Sequence, residues 1–248
     1  MTQSIKIKYP LIGDVFSLAG DLNNFLKSLE NQQWEYDCIK HIVNTAKSGQ
    51  TILDVGAWIG PYTVLFSKLV NAGGKVYSFE PNPKVRKILH NNIRKNRLNN
   101  VEILDFAVSD VNGYSKLYPF NLWTDTMANL FGRQGKSTEK PITVNTVTLD
   151  TFCERYDIKP DGIKIDVEGA EALVIKGCQK TLRKYSPWVI IEFHGEFMTD
   201  QERMTNWDTI AGAAKKITFI SGKNSQYNYG ECLTSLPDCK YFHMVIEY

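Results

Sequence analysis

The 248-residue chain suits one α/β domain and is long enough to bury a substantial core. Its 43% apolar and 23% charged residues exclude a disordered chain, and a formal charge of +2 gives no reason to expect a nucleic-acid or membrane surface. Five scattered cysteines (Cys38, Cys153, Cys178, Cys232, Cys239) form no C-x-x-C, which argues against a disulfide framework or structural zinc and for a reducing compartment.

At the N-terminus, Lys6 and Lys8 precede L-I-G-D-V-F-S-L-A, a faint signal-peptide pattern that Asp14 interrupts. The segment reads as mature protein and the chain as cytoplasmic; no apolar run approaches the ~18 residues of a membrane helix. Residues 5–18 look like a strand or extended arm, with Ile5, Ile7 and Tyr9 alternating. Leu22, Phe25, Leu26 and Leu29, then Ile39, Ile42, Val43 and Ala46, fall on helical faces, and Gly49 marks a stop. These helices read as packing on a sheet, with a cap over the active site as the alternative.

Thr51–Val55, the turn G-A-W-I-G, a helix carrying Tyr62, Leu65, Phe66 and Leu69, and the strand Lys75–Phe79 form a strand–turn–helix–strand unit. That unit suits a nucleoside-containing cofactor, because glycine lets backbone approach the ligand and an acid at the second strand's tip accepts from ribose hydroxyls. Glu80 occupies that tip. Pro83 opens a helix whose Lys84, Arg86, Lys87, Arg94, Lys95 and Arg97 read first as a solvated face, with phosphate contact as the alternative.

Val101–Val108 is expected as the third strand, and Tyr114–Phe120 and Ile142–Leu149 as further strands flanking a long loop, Asn121–Lys140. Asp150–Tyr156 is a short helix. Pro160–Val167 is the fourth parallel strand, ending on Asp166, with one helix from Glu168 carrying Val174, Cys178 and Leu182 on a face. Trp188–Phe193 is the fifth strand, an unbroken apolar run suited to a sheet buried on both faces. A helix over Gln201–Ala214 and the strands Ile217–Ile220 and Tyr241–Tyr248 follow, the last two as a hairpin. The expected fold class is α/β, a Rossmann-like seven-stranded mostly parallel sheet with helices on both faces and a C-terminal antiparallel hairpin.

Asp166 and Glu168 follow strand four, while Glu192 and His194 end strand five. All four therefore share the sheet edge with Glu80, where open α/β sheets bind ligands. Glu192 and His194, two apart, point to one face, and His194 is the natural base by its ordinary pKa. Glu168 alternatively caps the next helix. Asp166, Glu192 and His194 could hold a divalent cation that lowers a hydroxyl's pKa, although a metal-free site is favoured.

D-V-G-A-W-I-G at 54–60, F-E-P-N-P at 79–83, V-T-L-D-T-F at 147–152, K-I-D-V-E-G-A-E at 164–171 and I-I-E-F-H at 190–194 match in content and order. Together they resemble the FkbM-type methyltransferases, within the class I S-adenosylmethionine-dependent enzymes. Residues 1–30 and 200–248 carry little of the resemblance. It implies a donor site made by Asp54, Gly56, Ala57, Gly60, Glu80, Pro81, Asn82, Asp105, Phe106, Ala107 and Asp166, with Asp166, Glu168, Glu192 and His194 as candidate catalytic groups. Gly56 and Glu80 are poor candidates for pure packing, whereas Phe106 suits a core.

The implied cofactor is S-adenosyl-L-methionine, and the implied reaction is O-methylation of a small molecule or glycan. No N-P-P-Y motif points to a nucleobase amine. Residues 1–50 are expected as an N-terminal arm with helices on the core, and 51–248 as one methyltransferase unit. Trp58 departs from the pattern, in which class I methyltransferases often have a glycine and FkbM-type proteins a small polar residue; an indole would be awkward if that position needs φ > 0. The alternatives are a nicotinamide-dependent oxidoreductase, disfavoured by the lack of G-x-G-x-x-G, and a binding module that kept the fold without turnover.

Overall fold

The computed structural model describes residues 4–8, 15–19, 34–119, 140–195, 198–222 and 241–248. In chain order the elements are β1 (Ser4–Lys8), β2 (Val15–Ala19), α1 (Tyr36–Thr45), β3 (Thr51–Val55), α2 (Pro61–Val70), β4 (Lys75–Phe79), α3 (Pro83–Lys95) and β5 (Val101–Leu104). Then follow β6 (Phe106–Val108), β7 (Gly113–Leu117), β8 (Ile142–Val147), α4 (Leu149–Arg155), β9 (Gly162–Ile165), α5 (Glu171–Lys176) and α6 (Gln179–Tyr185). β10 (Trp188–His194), α7 (Asp200–Ala211), β11 (Lys216–Gly222) and β12 (Tyr241–Glu247) complete the chain.

Seven strands form the main sheet in the order β11-β12-β10-β9-β3-β4-β5. β10, β9, β3, β4 and β5 run parallel, and β12 runs antiparallel between β10 and β11. The sheet is therefore the expected one, including its C-terminal hairpin. Strand alternation sends Ile52, Val76, Ile190 and Val245 to one face, under α1, α2 and α3. Leu53, Val55, Ile163, Ile165, Ile191 and Met244 go to the other, under α4 to α7. Both faces are covered, which is why the central strands read as continuous apolar runs.

α1 buries Cys38, Ile39 and Ile42, as its spacing predicts. The N-terminal stretch is a β1–β2 hairpin rather than a single arm, and Ser17 exchanges hydrogen bonds with the Asn96 side chain at 2.8 and 2.9 Å. The helical pattern of Leu22–Leu29 and the loop 121–139 lie outside the described residues.

Two expected elements are broken. The strand expected over Val101–Val108 divides at Asp105: β5 stays in the main sheet, while β6 pairs with β8 in a separate three-stranded sheet, β6-β8-β7. The helix expected from Glu168 is two helices that meet at Gly177. A Cβ on Gly177 would stand 2.1 Å from the Ser109 carbonyl oxygen, so that contact admits only glycine. Val174, Cys178 and Leu182 are all buried, but from α5, the link between the helices and α6 in turn. Among the described residues, no helix is long and apolar enough to cross a membrane.

Candidate active site

The glycine turn after β3 is tied to the tip of β4. The Gly56 and Ala57 N–H groups donate to the Phe79 carbonyl at 3.1 and 2.9 Å, and the Trp58 N–H donates to Glu80 Oε2 at 3.0 Å. Three residues here hold left-handed backbone, Gly56 (φ 81°), Trp58 (φ 50°) and Gly60 (φ 95°). Trp58 is thus the non-glycine that bears this conformation, at a cost of about 1–2 kcal/mol. Its backbone bond to Glu80 is one contact that holds it there.

Both glycines also have packing reasons, beside any role toward a ligand. A Cβ on Gly56 would lie 1.7 Å from the Asp166 carbonyl oxygen, and one on Gly60 2.4 Å from Leu89 Cδ1. The turn is thereby pressed against the end of β9, beside Asp166.

Glu80 is buried. Its Oε1 accepts from the Asn82 N–H at 2.8 Å, so each carboxylate oxygen holds a backbone N–H. Asn82, buried, caps α3 by accepting from the Lys84 N–H at 3.0 Å, and Pro81 lies half-buried between these two. Arg86 leaves the solvated strip of α3: its guanidinium donates to the Glu80 and Pro81 carbonyls at 2.8 and 3.0 Å, while Lys84, Lys87, Arg94, Lys95 and Arg97 are exposed. At the β5–β6 break, Asp105 is exposed, Phe106 half-buried and Ala107 buried.

Asp54 is fully buried, and burial raises its pKa against the pull of Lys164 and Thr63. Its Oδ2 accepts from the Thr63 hydroxyl at 2.5 Å, anchoring α2 to β3. Oδ1 has no hydrogen-bond partner among the described residues. A buried, unmatched carboxylate oxygen beside the glycine turn suits an ammonium group, directly or through water.

The four candidate catalytic residues come together. His194 Nε2 stands 3.6 Å from Glu192 Oε1, 3.7 Å from Glu168 Oε2 and 3.9 Å from Asp166 Oδ1. The opposite ring nitrogen, Nδ1, is 3.0 Å from Oε1 of the fully buried Glu171. A carboxylate only accepts, so Nδ1 carries the hydrogen and donates, and Nε2 faces the other three acids. The Asp166 and Glu168 side chains keep 23% and 13% of their surface open against 7% for Glu192 and 5% for His194. Asp166 and Glu168 therefore line the opening, with Glu192 and His194 behind them.

Glu168 does not cap the next helix. It sits in a left-handed turn (φ 53°, then Gly169 φ 101°), and Glu171 instead accepts from the Gly169 N–H at 2.9 Å.

The site holds more acids than cations, and its pKa values follow. Burial and the neighbouring Glu192 raise Asp166 to about 7 despite Lys164, which donates to Asp166 Oδ2 at 2.7 Å. Burial and the surrounding acids raise Glu168 to about 9 against the pull of His194. Burial would lower His194, but the Glu171 hydrogen bond and the Glu168 and Glu192 charges drive it well above its ordinary value. Burial would raise Glu192, yet the hydrogen bond and charge of His243, with His194 and Lys164, hold it below the usual carboxylate range. Asp166, Glu192 and His194 offer donor atoms within 4.8 Å of one another and could hold a cation. Lys164 and His243 already supply positive charge to two of them.

Sequence reasoning missed Glu171, Lys164, His243 and Glu35. Glu171 closes the motif I-D-V-E-G-A-E, and Lys164 is a charge inside a buried strand, so both carried a signal. His243 and Glu35 belong to no motif, and only the folded chain brings them here.

The geometry agrees with what the chain is similar to. Residues 54–241, about three quarters of it, match the methyltransferase FkbM domain, further than the quoted motifs extend. Hexuronic acid methyltransferase AglP of Haloferax volcanii is 30% identical over 195 residues, 76% of this chain and 76% of that protein. 2-O-methyltransferase NoeI of Sinorhizobium fredii is 29% identical over 191 residues, 71% of this chain and 77% of that protein. The structure of an rRNA methylase from Streptococcus thermophilus, 10% identical, superposes with a TM-score of 0.51 over 86% of this chain and 95% of that one, a likeness of fold alone. The chain belongs to the FkbM family of S-adenosylmethionine-dependent methyltransferases.

Proposed function

We propose that this enzyme methylates a hydroxyl group of a sugar, free or within a glycan, with His194 as the base. The observation that carries the reading is the His194 imidazole, held through Nδ1 by buried Glu171 with Nε2 turned to the acid-lined opening. The names of the two relatives, a hexuronic acid methyltransferase and a 2-O-methyltransferase, support a sugar hydroxyl as acceptor. The net charge of +2 supports a small or glycan acceptor over a nucleic acid. Three buried free thiols, Cys38, Cys153 and Cys178, support a reducing, cytoplasmic setting.

S-adenosylmethionine, when bound, supplies an activated methyl group and positive charge. Asp54, Gly56, Ala57 and Gly60 would hold its amino-acid part, joined by Asp166 at the ammonium. Glu80, Pro81 and Asn82 would hold the ribose, and Asp105, Phe106 and Ala107 the adenine. Orienting the two reactants contributes most, on the order of 7–11 kcal/mol. Beside a cation the pKa of His194 falls, its Nε2 proton leaves, and the neutral ring accepts the acceptor hydroxyl's proton. Glu192 and Glu171 then stabilise the imidazolium, and the base contributes about 10²–10⁴ in rate. No step requires a metal.

Transfer of tritiated methyl from the donor to a panel of hexoses, hexuronic acids and their glycosides tests this. Label in an ether-linked methyl group of a sugar, lost with His194→Ala, is the expected result. Label appearing only on nitrogen or carboxyl oxygen overturns it.

A further inference from the structure

Behind the base cluster, on the face of the sheet under α1 and α2, lies a second buried polar group, of which only Glu192 belongs to the quoted motifs. Glu192 and His243 are direct cross-strand partners of β10 and β12. Glu192 Oε2 is 3.4 Å from His243 Nε2, and that same nitrogen is 2.9 Å from Glu35 Oε2. The Tyr62 hydroxyl donates to the same oxygen of Glu35. The Glu35, Glu192 and His243 side chains keep only 9%, 7% and 3% of their surface exposed. Glu35 directly precedes α1, and His243 lies in the last strand, 208 residues away.

We propose that Glu35, His243 and Tyr62 are positioning residues for methyl transfer, which hold Glu192 as a fixed carboxylate beside His194. Three observations carry this. His243 is the one polar residue in the run F-H-M-V-I of β12, where packing alone calls for an apolar side chain. Burying an ion pair brings little net stability over an apolar replacement, so packing energy does not account for it. The network also branches to both sides of the base cluster: His243 reaches Glu192, and Lys164, bonded to Asp166, lies 4.8 Å from the centre of the Tyr62 ring.

His243 faces Glu192 from β10 and Glu35 from the start of α1. Among the described residues, Cys38 of α1, Tyr62 of α2 and Lys164 of β9 also belong to this group. Burial and Glu35 push the Cys38 thiol well up, so it stays neutral and adds no competing charge. With an anion on each side, His243 remains an imidazolium. Its one Nε2–H is shared between Glu35 and Glu192, and Glu35 prevents the ring from turning away. Both Glu35 and His243 lie outside the 54–241 stretch matched to the family, so this support belongs to the flanks of the chain. The α1 segment is accordingly part of the site, not only cover for the sheet.

The role rests on the sugar O-methylation reading for its kinetic consequence, but not for its structural one, and the test separates them. Carboxyl-carbon NMR of glutamate-labelled protein follows Glu192 in wild type, His243→Gln, Glu35→Gln and Glu35→Asp with S-adenosylhomocysteine present. In wild type Glu192 should stay ionised between about pH 5 and 8, and in His243→Gln it should titrate inside that window. Glu35→Gln, nearly isosteric, keeps the test open if His243→Gln does not fold. It should lower the His243 pKa, and Glu35→Asp should restore it.

With a sugar acceptor from the labelling panel, kcat of both neutral variants should fall about tenfold or more, while KM for the donor changes little. The acid limb of the kcat profile should move to higher pH in His243→Gln. An unchanged Glu192 titration in His243→Gln, together with an unchanged His243 titration in Glu35→Gln, overturns the proposal even if both variants are less stable. Absence of any sugar methylation by wild type overturns the acceptor reading alone, and the NMR titrations still decide this one.

Discussion

Glu171 holds His194: the buried carboxylate accepts from Nδ1 at 3.0 Å and leaves Nε2 aimed at the acid-lined opening. Two motifs meet here, because Glu171 opens α5 just after the tip of β9 and His194 ends β10. Replacing the carboxylate by an amide, which can donate as well as accept, should free the ring to take the wrong tautomer. Glu171→Gln should therefore lower kcat by about 10²-fold or more, with donor affinity nearly unchanged, while His194→Ala should lose about 10²–10⁴. Initial rates at saturating donor, with calorimetry for donor binding, check the split.

The Trp58–Glu80 contact separates a backbone role from a side-chain role. The N–H of Trp58 makes the bond to Glu80, so Trp58→Gly keeps it and relieves a left-handed φ of 50°. Donor Kd in Trp58→Gly should stay within about threefold of wild type. Glu80→Ala removes the clamp on the turn and the carboxylate proposed to hold the ribose, and should weaken donor binding about 10–100-fold.

Gly56→Ala tests the junction between the glycine turn and the end of β9. Its Cβ would meet the Asp166 carbonyl oxygen at 1.7 Å, and the backbone φ of 81° is itself poor for alanine. A loss of about 3 kcal/mol in urea unfolding is expected, with weaker donor binding in whatever protein folds.

Donor binding should be linked to proton release. Asp166 is raised to about 7, Glu168 to about 9 and His194 well above its ordinary value, so the free site retains protons near neutral pH. A bound cation favours the ionised acids and the neutral imidazole, and each change expels a proton. Donor affinity should accordingly rise from about pH 6 to 8. Calorimetry in two buffers of different ionisation enthalpy should show net release; uptake would reverse the reading of the site's charge.

Stability of the free enzyme should run the other way. Asp166, Glu168 and His243 have folded-state values of about 7, 9 and 10 against ordinary values of 3.8, 4.5 and 6.5. Each raised group contributes stability that is complete below its ordinary value and is lost as pH rises through its folded value. Glu192, lowered, contributes only above its ordinary 4.5. Tm should therefore be highest near about pH 4–4.5 and fall steadily toward about pH 9, a trend that thermal melts would show directly.

The order of strands, the turn at 54–60, Glu80 at a strand tip and the sharing of one sheet edge by Asp166, Glu168, Glu192 and His194 were all legible in the sequence. Each follows from short-range periodicity or from motifs of adjacent residues, which local chemistry determines. The break at Asp105, the kink at Gly177 and the packing of Gly56 on Asp166 were not, because each depends on a backbone atom brought in from another part of the chain. Trp58 is the intermediate case: its residue type signalled strain, but only the bond to Glu80 showed what the strain accompanies. The support of Glu192 by His243 and Glu35 belongs wholly to the tertiary structure. Those residues stand 208 apart with no pattern joining them, and it is the antiparallel insertion of β12 beside β10, with α1 laid across the same face, that makes them neighbours.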